Sequence, residues 1–240
     1  MQISHLFVRG FTFVAIALTL SACDQKATSQ QAETQQAVAA KNEIVALSGK
    51  TMGTTYHIKY WGNSEVSITS QQAHEQIESI LKAVNTKMST YIQDSEISRF
   101  NQNTQTNTPI EVSVDFALVV KEAMRLNQVT QGALDVTVGP VVNLWGFGPE
   151  KRVEKQPTQE QITERQAWVG IDKLSLTEES GKFFLAKSVP QLYVDLSSIA
   201  KGFGVDQVAD YLESIHVQNY MVEIGGEIRT KGKNAETVCG

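Results

Sequence analysis

Residues 192–224, LYVDLSSIAKGFGVDQVADYLESIHVQNYMVEI, contain the alternation of elements on which the fold class depends. Residues 192–196 predict a strand, residues 199–215 a helix and residues 220–224 a second strand, because apolar side chains recur with the period of each element. Whether the sheet is doubly wound depends on whether strands and helices also alternate regularly before residue 192.

Strands and helices also alternate upstream, but without a regular rhythm. The predicted elements are strands at 44–47 and 54–61, a helix at 70–88 capped by Thr69 or Ser70, a helix from Ser113 closed at Gly132, a short helix at 158–168, and a hairpin of strands 174–176 and 183–185. A regular βαβ order is absent from this series. We therefore expect a single α+β domain rather than a doubly wound sheet.

The first residues have the order of a secretory signal peptide. Residues 1–10 carry Arg9 and no acid, and the mainly apolar run FTFVAIALTL at 11–20 is about half as long as the roughly 20 residues that span a bilayer. The alternative is a buried N-terminal helix. The Leu-Ser-Ala-Cys ending resembles the lipobox of bacterial lipoproteins, which implies that the signal is residues 1–22 and that Cys23 carries lipid. Asp24 resembles an inner-membrane retention signal, so we expect a lipid anchor on the inner membrane with the protein facing the periplasm.

Residues 24–42, DQKATSQQAETQQAVAAKN, contain no aromatic residue and cannot bury a core, so residues 23–42 predict a lipidated cysteine followed by a flexible tether. An Ala/Gln-rich helical spacer is the alternative. The folded domain is then residues 43–240. With Cys23 lipidated, Cys239 is unpaired and no disulfide is expected. The net charge of -5 argues against nucleic acid as a partner.

Two segments near the predicted helix at 70–88 contain more polar residues than packing explains. Residues 51–55, TMGTT, form a small polar cluster between two strands, although a hairpin turn accounts for them equally well. Residues 88–101 are rich in hydroxyls and include Tyr91, whose ring suits contact with a flavin or a base. A helix end capped by Ser and Asp is the alternative for this segment.

Two further segments are rich in glycine. Residues 132–149 contain Asp135 between apolar neighbours, where it is either hydrogen-bonded in a site or exposed at a strand edge. Residues 194–206 end a strand and begin a helix, whose N-terminus together with Lys201 suits a phosphate. Neither the P-loop nor the Rossmann glycine pattern is present.

These segments in this order resemble the ApbE family of FAD:protein FMN transferases, from about residue 49 to residue 234. The motifs that carry the resemblance are Thr-Met-Gly-Thr-Thr-Tyr, Met-Ser-Thr-Tyr with Asp-Ser-Glu-Ile-Ser-Arg-Phe-Asn, Gly-Ala-Leu-Asp-Val-Thr-Val-Gly-Pro with Leu-Trp-Gly-Phe-Gly, Val-Asp-Leu-Ser-Ser-Ile-Ala-Lys-Gly-Phe, and Glu-Ile-Gly-Gly-Glu-Ile-Arg. The resemblance implies a T-fold-like α+β architecture. It also implies an enzyme that binds FAD with Mg²⁺, attaches FMN through a phosphoester to a Thr hydroxyl, and releases AMP.

The implied acceptors are extracytoplasmic subunits of redox pumps with a Ser/Thr-Gly-Ala-Thr-like motif. The residues implied as FAD contacts are Met52, Tyr91, Ala133, Leu134, Asp135, Asp195 and Lys201. Ser198 stands where the family gives a main-chain carbonyl to the metal, and the catalytic base is unknown. The resemblance further implies a longer chain, with the acidic metal ligands beyond Gly240, so we expect a C-terminally truncated domain that binds Mg²⁺ poorly. The alternatives are an FAD pyrophosphatase and a lipid-anchored FAD-binding protein.

Overall fold

The computed structural model describes residues 44–62, 66, 68–149 and 155–233, so the predicted signal peptide, the tether and the chain end after Lys233 lie outside the described residues. The helices and strands are β1 Ile44–Thr51, β2 Thr54–Trp61, α1 Ser70–Met88, α2 Glu96–Gln102, β3 Ile110–Val112, α3 Val114–Val129, α4 Gly139–Leu144, α5 Gln159–Gln166, β4 Leu174–Glu179, β5 Lys182–Lys187, α6 Ala200–Ser214, β6 Tyr220–Ile224 and β7 Glu227–Lys231. This mixture confirms the predicted α+β class.

The first sheet is antiparallel, with strand order β1-β2-β6-β7. Along β2, Tyr56, Ile58 and Tyr60 are buried while His57 and Lys59 are exposed, so one face of the strand points to the core. Buried side chains of α1 and α6 belong to the same core cluster: Ile77, Leu81, Val208 and Leu212. Burial of each such side chain contributes about 1.5–3 kcal/mol, which fixes both helices against this sheet.

The second sheet has strand order β3-β5-β4 and belongs to a second core cluster. Leu185 of β5 is fully buried there together with Phe100 of α2 and Phe116 of α3. The hairpin between β4 and β5 turns at Ser180 and Gly181, both with positive φ, which confirms the predicted hairpin.

The prediction of a strand at residues 192–196 is wrong. Leu192, Val194 and Leu196 are buried in the second core, as the alternation predicted, but the segment has only one isolated bridge, between Val138 and Tyr193. Its main chain bonds mainly to the Asn101 side chain and to a neighbouring loop instead of a strand. The alternation of apolar residues therefore predicts the buried side chains correctly. The main chain, however, bonds to a side chain and a loop where a neighbouring strand was expected.

Local signals were otherwise reliable. Thr69 caps α1 in a reciprocal capping box with Gln72, and Thr158 caps α5. The polar cluster at 51–55 contains a two-residue hairpin turn in which Met52 and Gly53 have φ of 49° and 73°. The elements that the sequence did not predict are α2, β3, α4 and β7. None of the described helices combines the length and the hydropathy required to cross a bilayer.

Candidate functional site

An open cleft of about 610 Å³ lies between the turn of the β1–β2 hairpin, the C-terminal end of α1 with the residues after it, and the start of α6. Residues from all three regions line it, among them Met52, Asn85, Tyr91, Ser197 and Lys201. The cleft therefore brings together three predicted site residues, Met52, Tyr91 and Lys201, from widely separated parts of the sequence.

The hairpin turn is held against α1 and α6. Asn85 of α1 donates from its Nδ2 to Thr51 Oγ1 at 2.9 Å and to the carbonyl of Leu81 at 2.9 Å. On α6, a Cβ at Gly204 would lie 2.9 Å from Met52 Cε, so a larger residue there would require the end of the Met52 side chain to shift. The tight packing gives Gly204 a structural role. Sequence reasoning missed Asn85, because an amide on a helix gives no sign of its distant partner.

Tyr91 presents an aromatic surface to the cleft. It is 67% exposed, and its hydroxyl donates to the carbonyl of Phe147 at 3.1 Å. The turn before it is fixed by Ser95, which caps α2 and donates from Oγ to the carbonyl of Ser89 at 2.7 Å. The alternative of a capped helix end is thus correct for the segment as well, but the cap belongs to α2 and leaves the Tyr91 ring free to stack on a planar group.

The start of α6 is suited to an anion. No side chain caps this end and no acidic residue lies in its first turn, so its N–H groups have no side-chain acceptor. Lys201 projects from the same turn, and its Nζ lies 3.1 Å from Glu227 Oε1. Glu227 is a site residue that sequence reasoning missed. The Gly225–Gly226 turn brings it to Lys201 through positive φ values at both glycines.

Asp135 and Asp195 form two matching turns. Asp135 Oδ1 accepts from Thr137 N at 2.8 Å and Oγ1 at 2.6 Å, and Asp195 Oδ1 accepts from Ser197 N at 2.8 Å and Oγ at 2.5 Å. The Asp195 amide donates to the carbonyl of Val136 at 2.7 Å and joins the two turns. Asp135 is therefore hydrogen-bonded within a turn and does not lie at a strand edge.

The remaining predicted residues lie outside the cleft wall. Asp195 adjoins it through Ser197, whereas Ala133, Leu134 and Asp135 are linked to it only through the contact of Val136 with Asp195. Ser198 is exposed immediately before α6. In the described ranges, no group of three or more His, Cys, Asp or Glu residues is arranged to hold a metal ion.

A second cavity of about 340 Å³ shares Thr90 and Tyr91 with the cleft. Tyr193 lines it, and burial raises the pKa of its hydroxyl, although hydrogen bonds with Asn143, Thr90 and Asn101 act in the opposite direction. Gly139 makes this arrangement possible, because a Cβ there would lie 2.3 Å from the Tyr193 ring. Tyr91 thus separates two neighbouring cavities.

Comparison with known proteins gives consistent matches. The model of the ApbE family matches residues 52–238. The chain is 65% identical over 229 residues to the FAD:protein FMN transferase of Haemophilus influenzae, covering 95% of this chain and 62% of that protein. It is 38% identical over 233 residues to the Escherichia coli K12 FAD:protein FMN transferase, with coverages of 95% and 63%.

Solved structures of flavin transferases have the same fold. The flavin transferase ApbE from Vibrio cholerae is 56% identical, with a TM-score of 0.76 over 81% of this chain and 61% of that chain. The apo form of the Pseudomonas stutzeri flavinyl transferase ApbE is 34% identical, with a TM-score of 0.75 over 82% and 63%. The chain thus spans less than two thirds of the length of each of these four relatives.

Proposed function

This chain belongs to the ApbE family, and we propose that it acts as an FAD:protein FMN transferase. The observation that carries the proposal is the meeting of the family motifs around one cleft. Residues from the first, second and fourth motifs line it, the third motif is joined to the fourth by the contact of Asp195 with Val136, and Glu227 of the fifth pairs with Lys201.

The proposed reaction is transfer of a phosphoryl group. The hydroxyl oxygen of an acceptor threonine bonds to the phosphorus of the FMN half of FAD. The bond from that phosphorus to the bridging oxygen breaks, AMP leaves with this oxygen, and the hydroxyl proton passes to a base. Phosphoryl transfer depends mainly on positioning and on stabilising the charge of the transferred group. No residue is assigned as the base.

The residues of the cleft suit the parts of FAD. In this proposal the Tyr91 ring stacks on a planar ring of FAD, while Lys201 and the N-terminal end of α6, which no side chain caps, contact the pyrophosphate. Met52 forms the floor beside them, and the joined turns of Asp135 and Asp195 orient the loops at the edge of the cleft, with Ala133 and Leu134 in the first loop. A full positive charge and a helix N-terminus both favour the two negative charges of a pyrophosphate.

We also propose that the reaction depends on Mg²⁺ and that the main-chain carbonyl of Ser198 is one of its ligands. Mg²⁺ generally takes one or two carboxylates, substrate phosphates and water as ligands. The described residues supply no cluster of three or more acidic groups for it.

Incubation of the full chain with FAD, Mg²⁺ and an acceptor domain containing a Ser/Thr-Gly-Ala-Thr-like motif tests the proposal. Intact-mass analysis is expected to show the acceptor increased by one FMN, together with one AMP in solution. The matched control is the same acceptor with its threonine replaced by valine, which should remain unmodified. FMN and AMP without an adduct would instead indicate a pyrophosphatase, and bound but intact FAD would indicate a binding protein.

We also propose that Cys23 anchors the protein to the periplasmic face of the inner membrane. The support is the signal and lipobox pattern at residues 1–23, which lies outside the described residues. Several acyl chains on one cysteine would hold the protein firmly, whereas one chain binds reversibly. Cys23→Ser is expected to move the protein from the membrane fraction to the soluble periplasmic fraction. An unchanged distribution would contradict the anchor.

A further inference from the structure

Lys187 is a charged side chain buried inside the second core. It is the last residue of β5, only 2% exposed, and its Nζ donates to the main-chain carbonyls of Asn101 at 3.0 Å and Leu192 at 3.1 Å. The same nitrogen lies 5.4 Å from the centroid of the Phe100 ring. Within the described part of the chain, no carboxylate forms an ion pair with it.

Burying an ammonium group without an opposite charge is unfavourable by several kcal/mol unless hydrogen bonds compensate. A methionine would fill similar space without that penalty. What the lysine adds is therefore a pair of directed hydrogen bonds, one to the last turn of α2 and one to the segment after β5. The carbonyl of Asn101 is one of the four at a helix end that lack a partner within the helix, so the lysine also satisfies this acceptor.

The same segment is held from a second direction by the side chain of Asn101. Its Nδ2 donates to the carbonyl of Val194 at 2.8 Å, and its Oδ1 accepts from the Val194 amide at 2.8 Å. These two bonds imitate the pair that a neighbouring strand would form. Lys187 fixes the main chain that carries this amide side chain, and it also fixes the start of the held segment at Leu192.

A continuous series of contacts then runs to the cleft. Asp195 directly follows Val194, and its amide bonds to the Val136 carbonyl at 2.7 Å. Its carboxylate accepts from the amide and hydroxyl of Ser197, which lines the cleft beside Lys201. A shift of the main chain at Leu192 or Val194 would therefore move Asp195 and Ser197 relative to the start of α6.

We propose that Lys187 is a positioning residue for the FAD site, and this inference rests on the proposed function. Its ammonium group holds residues 192–194 against α2 so that Asp195 and Ser197 keep their places at the cleft. It touches no reacting group itself.

The test compares the full chain with Lys187→Met and, as a matched control, Lys182→Met. Lys182 lies on the same strand, but it is exposed and only pairs with Glu111 at 2.9 Å. Two quantities are measured for each protein: amide hydrogen exchange at Val194 and Asp195 without ligand, and the dissociation constant for FAD. We expect Lys187→Met to unfold cooperatively, to exchange at both amides at least tenfold faster and to bind FAD at least tenfold more weakly. Lys182→Met should match the unmodified protein.

Exchange and FAD affinity within twofold of the unmodified protein would overturn the proposal, as would equal acceleration at Leu185 in β5, which would indicate general loosening. If Lys187→Met does not fold, Lys187→Gln is used instead. Its NH₂ group keeps two donors, but on a side chain one bond shorter that cannot hold both carbonyls at the same distance, so it must show the same two effects at smaller size. Unchanged values there also overturn the proposal. If the unmodified chain does not bind FAD, the proposed function fails, whereas the exchange rates still decide whether Lys187 holds the segment.

Discussion

Lys201 is the residue at which the cleft meets the turn between β6 and β7. Its ammonium group is paired with Glu227 at 3.1 Å and lies 3.4 Å from the carbonyl of Ser197. Both partners are partly exposed, so solvent screens the pair and an anion entering the cleft can compete for the lysine. The position of Lys201 thus suits binding of a phosphate group in exchange for part of its contact with Glu227.

We expect Lys201→Met to weaken FAD binding about tenfold, because a charge-assisted hydrogen bond to a phosphate contributes about 1.5 kcal/mol. The methionine keeps most of the length of the side chain and removes the charge together with its N–H donors. Titration of FAD at low and high salt measures the effect, which should shrink as salt screens the charge. Equal affinity of Lys201→Met and the unmodified chain at low salt would contradict the assignment.

Because Lys187 is buried, we also expect the free energy of unfolding to depend on pH. Burial lowers its pKa to about 8, below the value of about 10.4 in an unfolded chain. Between these values the unfolded state binds more protons, so through this group the free energy of unfolding should rise from pH 8 to pH 10. Well below pH 8 the lysine is protonated in both states, and its contribution no longer changes with pH. Denaturant unfolding of the unmodified chain and Lys187→Met over this range isolates it. Parallel curves would show that the lysine does not titrate in this way.

At the level of elements, α6 contains two glycines with different surroundings. A Cβ at Gly204 would press on Met52, whereas a Cβ at Gly202 would meet no atom within 4 Å. Packing therefore explains Gly204 but not Gly202, which lies in the first turns of the helix beside Lys201. Open space there fits close approach of a ligand to the main chain.

Gly202→Ala is expected to raise the free energy of unfolding by about 0.5–1 kcal/mol, since alanine is the better helix former. The same change should weaken FAD binding severalfold, because the new methyl group would occupy the open space beside the main chain next to Lys201. Urea unfolding and FAD titration measure the two effects. Gly204→Ala is the comparison, and the contact with Met52 should make its gain in stability smaller than that of Gly202→Ala. Unweakened FAD binding by Gly202→Ala would leave Gly202 without a role in the site.

β7 is held to α6 mainly through charges. Arg229 bonds to Asp206 at 3.0 Å, Asp210 at 2.9 Å and Glu213 at 3.0 Å. Hydrogen bonds from Lys231 and Tyr220 lower the pKa of Glu213 to about 2. The stabilisation of the fold by ionised Glu213 is then present above about pH 4.3, the pKa of a glutamate in an unfolded chain. It is lost as the pH falls towards 2.

Arg229→Met should lower the free energy of unfolding by about 1–2 kcal/mol, because it leaves three carboxylates close together without their shared cation. Arg125→Met is the control, since Arg125 pairs with Glu122 on the exposed surface of α3 and should change stability much less than Arg229→Met. Urea unfolding at pH 7 and pH 3 measures both variants. A loss at pH 7 that persists undiminished at pH 3 would show that the carboxylates are not responsible.

Across the whole molecule, the sequence predicted what depends on neighbours along the chain. The spacing of Ile77, Leu81 and Val84 and the cap at Thr69 identified α1, and turn residues identified the β4–β5 hairpin. Residues 192–196 were misassigned because alternation reports which side chains are buried, while the partner of the main chain, Asn101, lies far away in sequence.

For the candidate site too, the sequence predicted local features but not contacts between remote segments. Motif resemblance predicted Met52, Tyr91 and Lys201, which meet at one cleft, but a lone lysine at the end of the strand KFFLAK gave no sign that Lys187 is buried. Glu227 belongs to the motif Glu-Ile-Gly-Gly-Glu-Ile-Arg. Its pairing with Lys201 depends on the Gly225–Gly226 turn between β6 and β7, and only β6 was predicted from the sequence. Contacts between remote segments are the part that periodicity cannot supply.

Transfer of FMN to protein is tested most directly by the intact mass of an acceptor domain after incubation with the full chain, FAD and Mg²⁺. We expect an acceptor heavier by one FMN, formed in equal amount with AMP, and a strongly reduced yield with Lys201→Met. An acceptor of unchanged mass, with FAD bound or hydrolysed but no flavin attached, would contradict it.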